Sequence, residues 1–225
     1  LAELAAAGDT SPETRLALAG KVFAHTARYD SLIANYLGTL DRQFPPQLNL
    51  NFLEKQPLRY GENPHQQAFF YRDFGTQDWA TVANLEQLQG KELSYNNIID
   101  LSSALEICRE FAGETFCCIL KHTNPCGAAL GTTGGEAFTR AWATDPVSAF
   151  GGIIGCTTEV DEETARAIGQ NFVEIVVAPG FTAGALEAIP AKKNLRVMRF
   201  GAPLVPARPG YDLKKVAGGL LVQEA

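Results

Sequence analysis

Residues 115–120, Thr-Phe-Cys-Cys-Ile-Leu, form an uncharged apolar run that gives way at once to Lys121-His122-Thr123-Asn124-Pro125-Cys126-Gly127. A run of that length, partly β-branched and aromatic and closed by an Asn-Pro turn signal, reads as a buried strand ending at a loop. Loops at strand ends carry chemistry. Here the first two residues past the run are an amine and an imidazole, side chains suited to holding an anion and moving a proton near neutral pH. Lys121 and His122 would point apart if the strand ran through both, and they share a ligand if it ends by about Leu120.

The rest of the chain sets this strand in an alternating pattern. Ser11-Pro12-Glu13 opens a helix with an N-cap, a proline and an acid in the first turn. Apolar residues from Leu16 to Tyr36 continue it, as one long helix or as two with a break near Tyr29-Asp30-Ser31. His25 within it reads as a surface or packing residue. Residues 41–49, with Pro45-Pro46, suit a linker at a domain boundary. Leu48, Leu50 and Phe52 alternate with polar residues as a half-buried strand would.

A polar loop over 58–67 is expected next, then a short strand at 68–71, a second polar loop at 88–97 and a helix from about Ile98 to Ala112. After the central strand come a small-residue loop at 127–135, a helix at 136–144, a turn at 148–152, a strand at 153–156 and a helix at 161–168. A strand at 172–178 contains Glu174, which is either at an exposed edge or functional. A helix from Gly184 and strands at 195–200 and 216–222 complete the pattern. Strands alternating with helices predict an α/β fold with a largely parallel or mixed sheet.

With 225 residues, 46% of them hydrophobic, the chain can bury a core of one large or two small domains. A net charge of −6 without a basic run argues against nucleic acid or an anionic membrane as partner. The absence of an apolar span or signal-peptide pattern points to the cytoplasm. The five cysteines show no framework spacing. A start at Leu1 without methionine suggests a piece of a longer polypeptide.

Zinc is rejected as a cofactor: a zinc deaminase needs Pro-Cys-x-x-Cys and His-x-Glu, but Ala129 stands three residues after Cys126 and no histidine has the second pattern. Walker, dinucleotide and G-x-S-x-G patterns are also missing. What remains is a set of polar loops near strand ends, at 59–65, 94–97, 121–127 and 148–152, able together to bind a phosphorylated, amide-bearing small molecule. Arg59 offers a planar fork to phosphate or carboxylate, or a salt bridge in a plain surface loop.

Four stretches carry a resemblance: Leu-Arg-Tyr-Gly-Glu-Asn-Pro-His-Gln at 58–66, Leu-Ser-Tyr-Asn-Asn at 93–97, Lys-His-Thr-Asn-Pro-Cys-Gly at 121–127 and Asp-Pro-Val-Ser-Ala-Phe-Gly-Gly at 145–152. In this order they resemble the bifunctional AICAR transformylase and IMP cyclohydrolase family of purine biosynthesis, along essentially the whole chain. The resemblance implies that residues 1–46 are the helical end of the cyclohydrolase domain with its linker. Residues 47–225 would be the first half of the transformylase domain, an α/β fold with a mixed sheet, similar to cytidine deaminase but without a metal.

The implied reaction moves a formyl group from 10-formyltetrahydrofolate, the cosubstrate, to the 5-amino group of AICAR to give FAICAR, which the parent protein then cyclises to IMP. By resemblance His122 is the base that takes the amine proton, and Lys121 stabilises the developing oxyanion or orients the donor. Arg59 and Tyr60 would bind the nucleotide, with Arg59 on its phosphate. His65 matches an active-site histidine, Phe150 and Gly151 the loop on the base, Glu174 an acid near the ribose, and Asp100 a further nucleotide contact. A homodimer is implied. The alternative is a truncated fragment that folds or binds nucleotide without turnover.

Overall fold

In the computed structural model, residues 1–75, 79–189, 194–205 and 211–224 are described. The chain divides into two compact units, one of Leu1–Glu54 with Tyr71–Phe74, the other of the remaining residues from Lys55 onward.

In the first unit α1 (Ala2–Ala7) ends at Gly8, and α2 (Pro12–Gly38) follows as one unbroken helix of 27 residues. Its start is as expected: the Ser11 hydroxyl accepts the Thr14 N–H at 3.1 Å. None of its residues is buried, and Phe23 is 72% exposed. The strand expected over 48–52 does not form. Asn35 takes both backbone groups of Asn49, donating to its carbonyl at 2.7 Å and accepting its N–H at 3.1 Å, so neither is free for a ladder. The strand β1 begins instead at Phe52 (Phe52–Leu58) and pairs with β2 (Ala68–Asp73).

The second unit holds the sheet. In chain order its elements are β3 (Glu86–Gln89), α3 (Tyr95–Glu110), β4 (Phe116–Lys121), β5 (Asn124–Leu130), α4 (Gly134–Thr144), α5 (Pro146–Ala149), β6 (Ile153–Cys156), α6 (Glu162–Gly169), β7 (Ile175–Ala178), α7 (Ala183–Ala188) and β8 (Arg196–Arg199). The six strands lie in the order β3-β8-β7-β6-β4-β5. β6, β7 and β8 are parallel, whereas β3, β4 and β5 each run antiparallel to a neighbour, so the sheet is mixed.

The period of two along β4 sorts the core onto the two faces. Cys117 and Ile119 pack with Ala137, Phe138, Ala165, Ile168 and Ala185 under α4, α6 and α7. Phe116, Cys118 and Leu120 pack with Leu101, Ala104, Leu105 and Cys108 of α3. Helices therefore cover both faces, which is why the strands read as continuous apolar runs rather than alternating ones. Gly127 lets α4 approach: a β-carbon there would lie 2.0 Å from the Ala141 carbonyl oxygen.

Several expected boundaries move. β3 and the start of α3 replace parts of the polar loop at 88–97. The helix starts at Tyr95 rather than Ile98 because Ser94 and Asn97 cap each other reciprocally, at 3.2 and 3.1 Å. It ends at Glu110. The loop expected at 127–135 is β5 as far as Leu130 and α4 from Gly134; β5 is an edge strand that tolerates Pro125 because its outer side needs no ladder donor. The strand at 172–178 is only Ile175–Ala178, and β7 is central rather than an edge. The single strand expected at 216–222 is a hairpin, β9 (Tyr211–Val216) with β10 (Gly219–Glu224).

Candidate active site

Strand register brings the polar loops to one end of the sheet. Leu120 pairs with Ile153, Ile153 with Ile175, Ile175 with Arg196, and Val197 with Gln89. Lys121, Gly152, Glu174, Leu195 and the 90–92 loop thus stand side by side, one strand spacing of about 4.8 Å apart at each step, with Arg196 one residue inside that row on β8. The chain reaches this end five separate times.

At the β4 side, Lys121 pairs with Asn124 and leaves His122 and Thr123 as a two-residue hairpin turn. Such turns need positive φ at both central residues, which Asn and Gly supply at low cost. Here φ is 52° at His122 and 64° at Thr123. For residues of these types, and most of all for a β-branched threonine, such a backbone stores about 1–3 kcal/mol per residue and gathers at functional sites. The strand runs one residue past the Leu120 end expected from sequence. The left-handed turn ends the strand's alternation after Lys121.

Three hydrogen bonds brace the turn. The Asp100 carboxylate accepts the Thr123 N–H at 2.7 Å, the Thr123 hydroxyl donates to the His122 carbonyl at 2.6 Å, and the Asn124 amide donates to the same carbonyl at 2.9 Å. A bulge at Cys126, where the register slips between Ile119 and Leu120, bends the hairpin below the turn. His122 is exposed and Lys121 half-buried.

The Lys121 ammonium donates to the Phe150 carbonyl at 2.8 Å. Phe150 leads into Gly151, whose φ of 73° suits glycine and whose missing side chain leaves room: a β-carbon there would lie 3.3 Å from the Phe172 ring and 4.0 Å from the Lys121 ammonium. The Phe150 and Phe172 rings lie 5.0 Å apart, and Phe150 is 57% exposed, forming an aromatic shelf beside the lysine. The turn into this shelf is set by Asp145, which caps α5. Bonds from the Ser148 hydroxyl and N–H hold its carboxyl below the usual carboxylate range. Glu174 is exposed just before β7, its N–H donating to the Gly152 carbonyl at 3.0 Å.

At the β8 side, Arg59 and Tyr60 line a cavity of about 360 Å³ with Lys91, Glu92, Leu93, Ser94 and Arg196. Sequence reasoning found the first two and missed Lys91 and Arg196. The Arg196 Nε donates to the carbonyls of Lys91 and Glu92, at 3.1 and 3.3 Å, tying the loop after β3 to β8. Three cations around one cleft favour an anion. His65 is exposed in a loop closed by Gly61 N–H on the Gln66 carbonyl, and it lines neither group. Phe172 is the other residue the sequence did not single out. Among the described residues no three His, Cys, Asp or Glu side chains are arranged to hold a metal ion.

A cationic cleft, an aromatic shelf and a lysine followed by a histidine on one end of an α/β sheet make up a candidate small-molecule site of the loop-built kind. The whole chain, residues 1–225, matches the model of the AICARFT/IMPCHase bienzyme family, and the chain belongs to that family. It is similar to the bifunctional purine biosynthesis protein PurH of Acidithiobacillus ferrooxidans, 50% identical over 221 residues. The match covers 96% of this chain and 42% of that relative, so the chain spans under half the length of the relative it matches.

Proposed function

We propose that this chain carries part of an AICAR transformylase site, in which His122 and Lys121 serve formyl transfer to the 5-amino group of AICAR. The observation that carries the proposal is the strained His122–Thr123 turn, which sets an exposed imidazole directly after a lysine whose ammonium is fixed beside the Phe150–Gly151 loop. Residues 47–225 then belong to the transformylase domain and residues 1–46 to the end of the cyclohydrolase domain. The parent protein closes FAICAR to IMP elsewhere in its length, and it works as a cytoplasmic homodimer without nucleic-acid or membrane partners.

The folate cosubstrate, 10-formyltetrahydrofolate, supplies the formyl group. An aminoimidazole nitrogen is a weak nucleophile, so its proton must leave as the new bond forms, and the His122 imidazole is the acceptor. Lys121 places positive charge where the formyl oxygen gains negative charge. Arg59, with Lys91 and Arg196 around the same cleft, takes the phosphate, and Tyr60 packs on the nucleotide. Phe150 and Gly151 form the shelf for the base, Glu174 faces the ribose, and His65 completes the approach from its loop.

In a full-length protein carrying this segment, His122→Ala lowers kcat for formyl transfer by about 10²–10⁴-fold, while cyclisation of FAICAR proceeds as before. Lys121→Ala has the same signature. Near-normal transfer by His122→Ala would remove imidazole base catalysis from the proposal.

A further inference from the structure

We propose that Asp100 is a positioning residue for His122, acting through the backbone of the turn rather than on the nucleotide. This rests on the reading of His122 as the catalytic base.

The turn between β4 and β5 has the backbone of a glycine-containing hairpin but carries histidine and threonine. Something must hold it in that form. Of its three braces, two belong to the turn itself, the Thr123 hydroxyl and the Asn124 amide on the His122 carbonyl, and they move with it. The third comes from elsewhere: Asp100 lies 23 residues upstream on α3, and its carboxylate accepts the Thr123 N–H at 2.7 Å. A charged acceptor at that distance makes a short, strong bond.

The helix that offers it is fixed. Its first turn is closed by the Ser94–Asn97 capping box, and Leu101, adjacent to Asp100, is fully buried in the cluster that α3 shares with β4. Asp100 therefore connects the left-handed turn to the packed face of the sheet. An imidazole whose backbone can relax out of the left-handed region swings away from its proton, and displacements of about an ångström suffice to cost orders of magnitude in rate.

The test uses the full-length protein with Asp100→Ala, Asp100→Asn and Thr123→Gly, singly and combined. Asp100→Ala lowers kcat for formyl transfer roughly 10²-fold and leaves KM for AICAR within about twofold, with cyclisation as the check on folding. Asp100→Asn keeps an oxygen acceptor and recovers most of the rate. Thr123→Gly removes the residue that resists positive φ, so Asp100→Ala costs less in that background. Loss in KM with kcat preserved, or Asn as damaging as Ala in a folded protein, would assign the carboxylate to the substrate and overturn the inference.

His122→Ala separates the two readings. If it abolishes transfer while Asp100→Ala does not, the positioning role alone fails. If it retains transfer, the reading of the site fails, and hydrogen exchange across the β4–β5 turn still decides whether Asp100 holds it. Faster exchange there in Asp100→Ala supports the hold, and unchanged exchange refutes it.

Discussion

Single side chains carry much of the packing in this chain. Gly127 lies against the backbone of α4, and a methyl group there meets a carbonyl oxygen at 2.0 Å. Gly127→Ala must move α4 off β5, and a loss of about 1–3 kcal/mol is expected in the urea midpoint. The thiols are similarly enclosed. Cys108 lies within hydrogen-bond reach of Cys118, and Cys117 stands opposite Cys156 across the β4–β6 ladder; these thiol neighbours together with burial raise the pKa of Cys108 and Cys117 well above the usual thiol value, and burial also raises Cys126. A raised pKa leaves less thiolate at pH 8, and the thiolate is the nucleophile. Native protein should therefore react slowly with a disulfide reagent, while all five cysteines titrate in denaturant; rapid native reaction of Cys117 would contradict the packing. At this scale the sequence marked candidate residues more clearly than how they are held. Lys121 and His122 stood out because a strand signal ended beside them. The left-handed backbone of His122 and Thr123 was illegible, because neither residue type prefers it and the brace from Asp100 comes from another element.

Among the elements, the starts of α2 and α6 were legible, since a cap is a local event written in adjacent residues, whereas the Ser94–Asn97 capping box put the α3 start three residues before the one expected. Ser11 caps α2 as its sequence implies, and Asp161 caps α6 where the helix expected at 161–168 begins. The Asp161 carboxylate accepts the Thr164 N–H at 2.8 Å, and its pKa is lowered by that bond first and by the Thr164 hydroxyl next. A depressed folded pKa stabilises at pH values above the unfolded one, near 3.9, and that contribution is lost as pH falls through the folded value. Urea midpoints should therefore drop below about pH 4, and Asp161→Asn, which keeps an acceptor but cannot titrate, should flatten the acid side of the curve. Ser94→Ala removes half of the α3 capping box and should cost about 1 kcal/mol, read from thermal unfolding. Strands whose composition disguised them were missed: β3 is Glu-Gln-Leu-Gln, and β5 holds Pro, Cys, Gly and Ala where turn residues were expected. Both are edge strands, recruited by their neighbours rather than by their own propensity.

For the molecule as a whole, the α/β class was legible from alternation, but the strand order was not, and the site depends on the order. Arg196 meets the loop after β3 only because β8 lies between β3 and β7. No local pattern reveals a partnership between Glu86 and Arg199, whose ion pair joins residues 113 positions apart. A chain stopped at residue 189 lacks β8, and amide exchange over 86–89 should then be fast, whereas in the 225-residue chain it is slowed by the ladder. The same order has a consequence for synthesis. At about 5–20 residues per second, β3 leaves the ribosome and waits on the order of ten seconds before the strand that seats it exists. During that interval the half of the cleft built around Lys91 has no floor, so whatever the cleft holds cannot assist the early folding of this chain and can act only after β8 is in place.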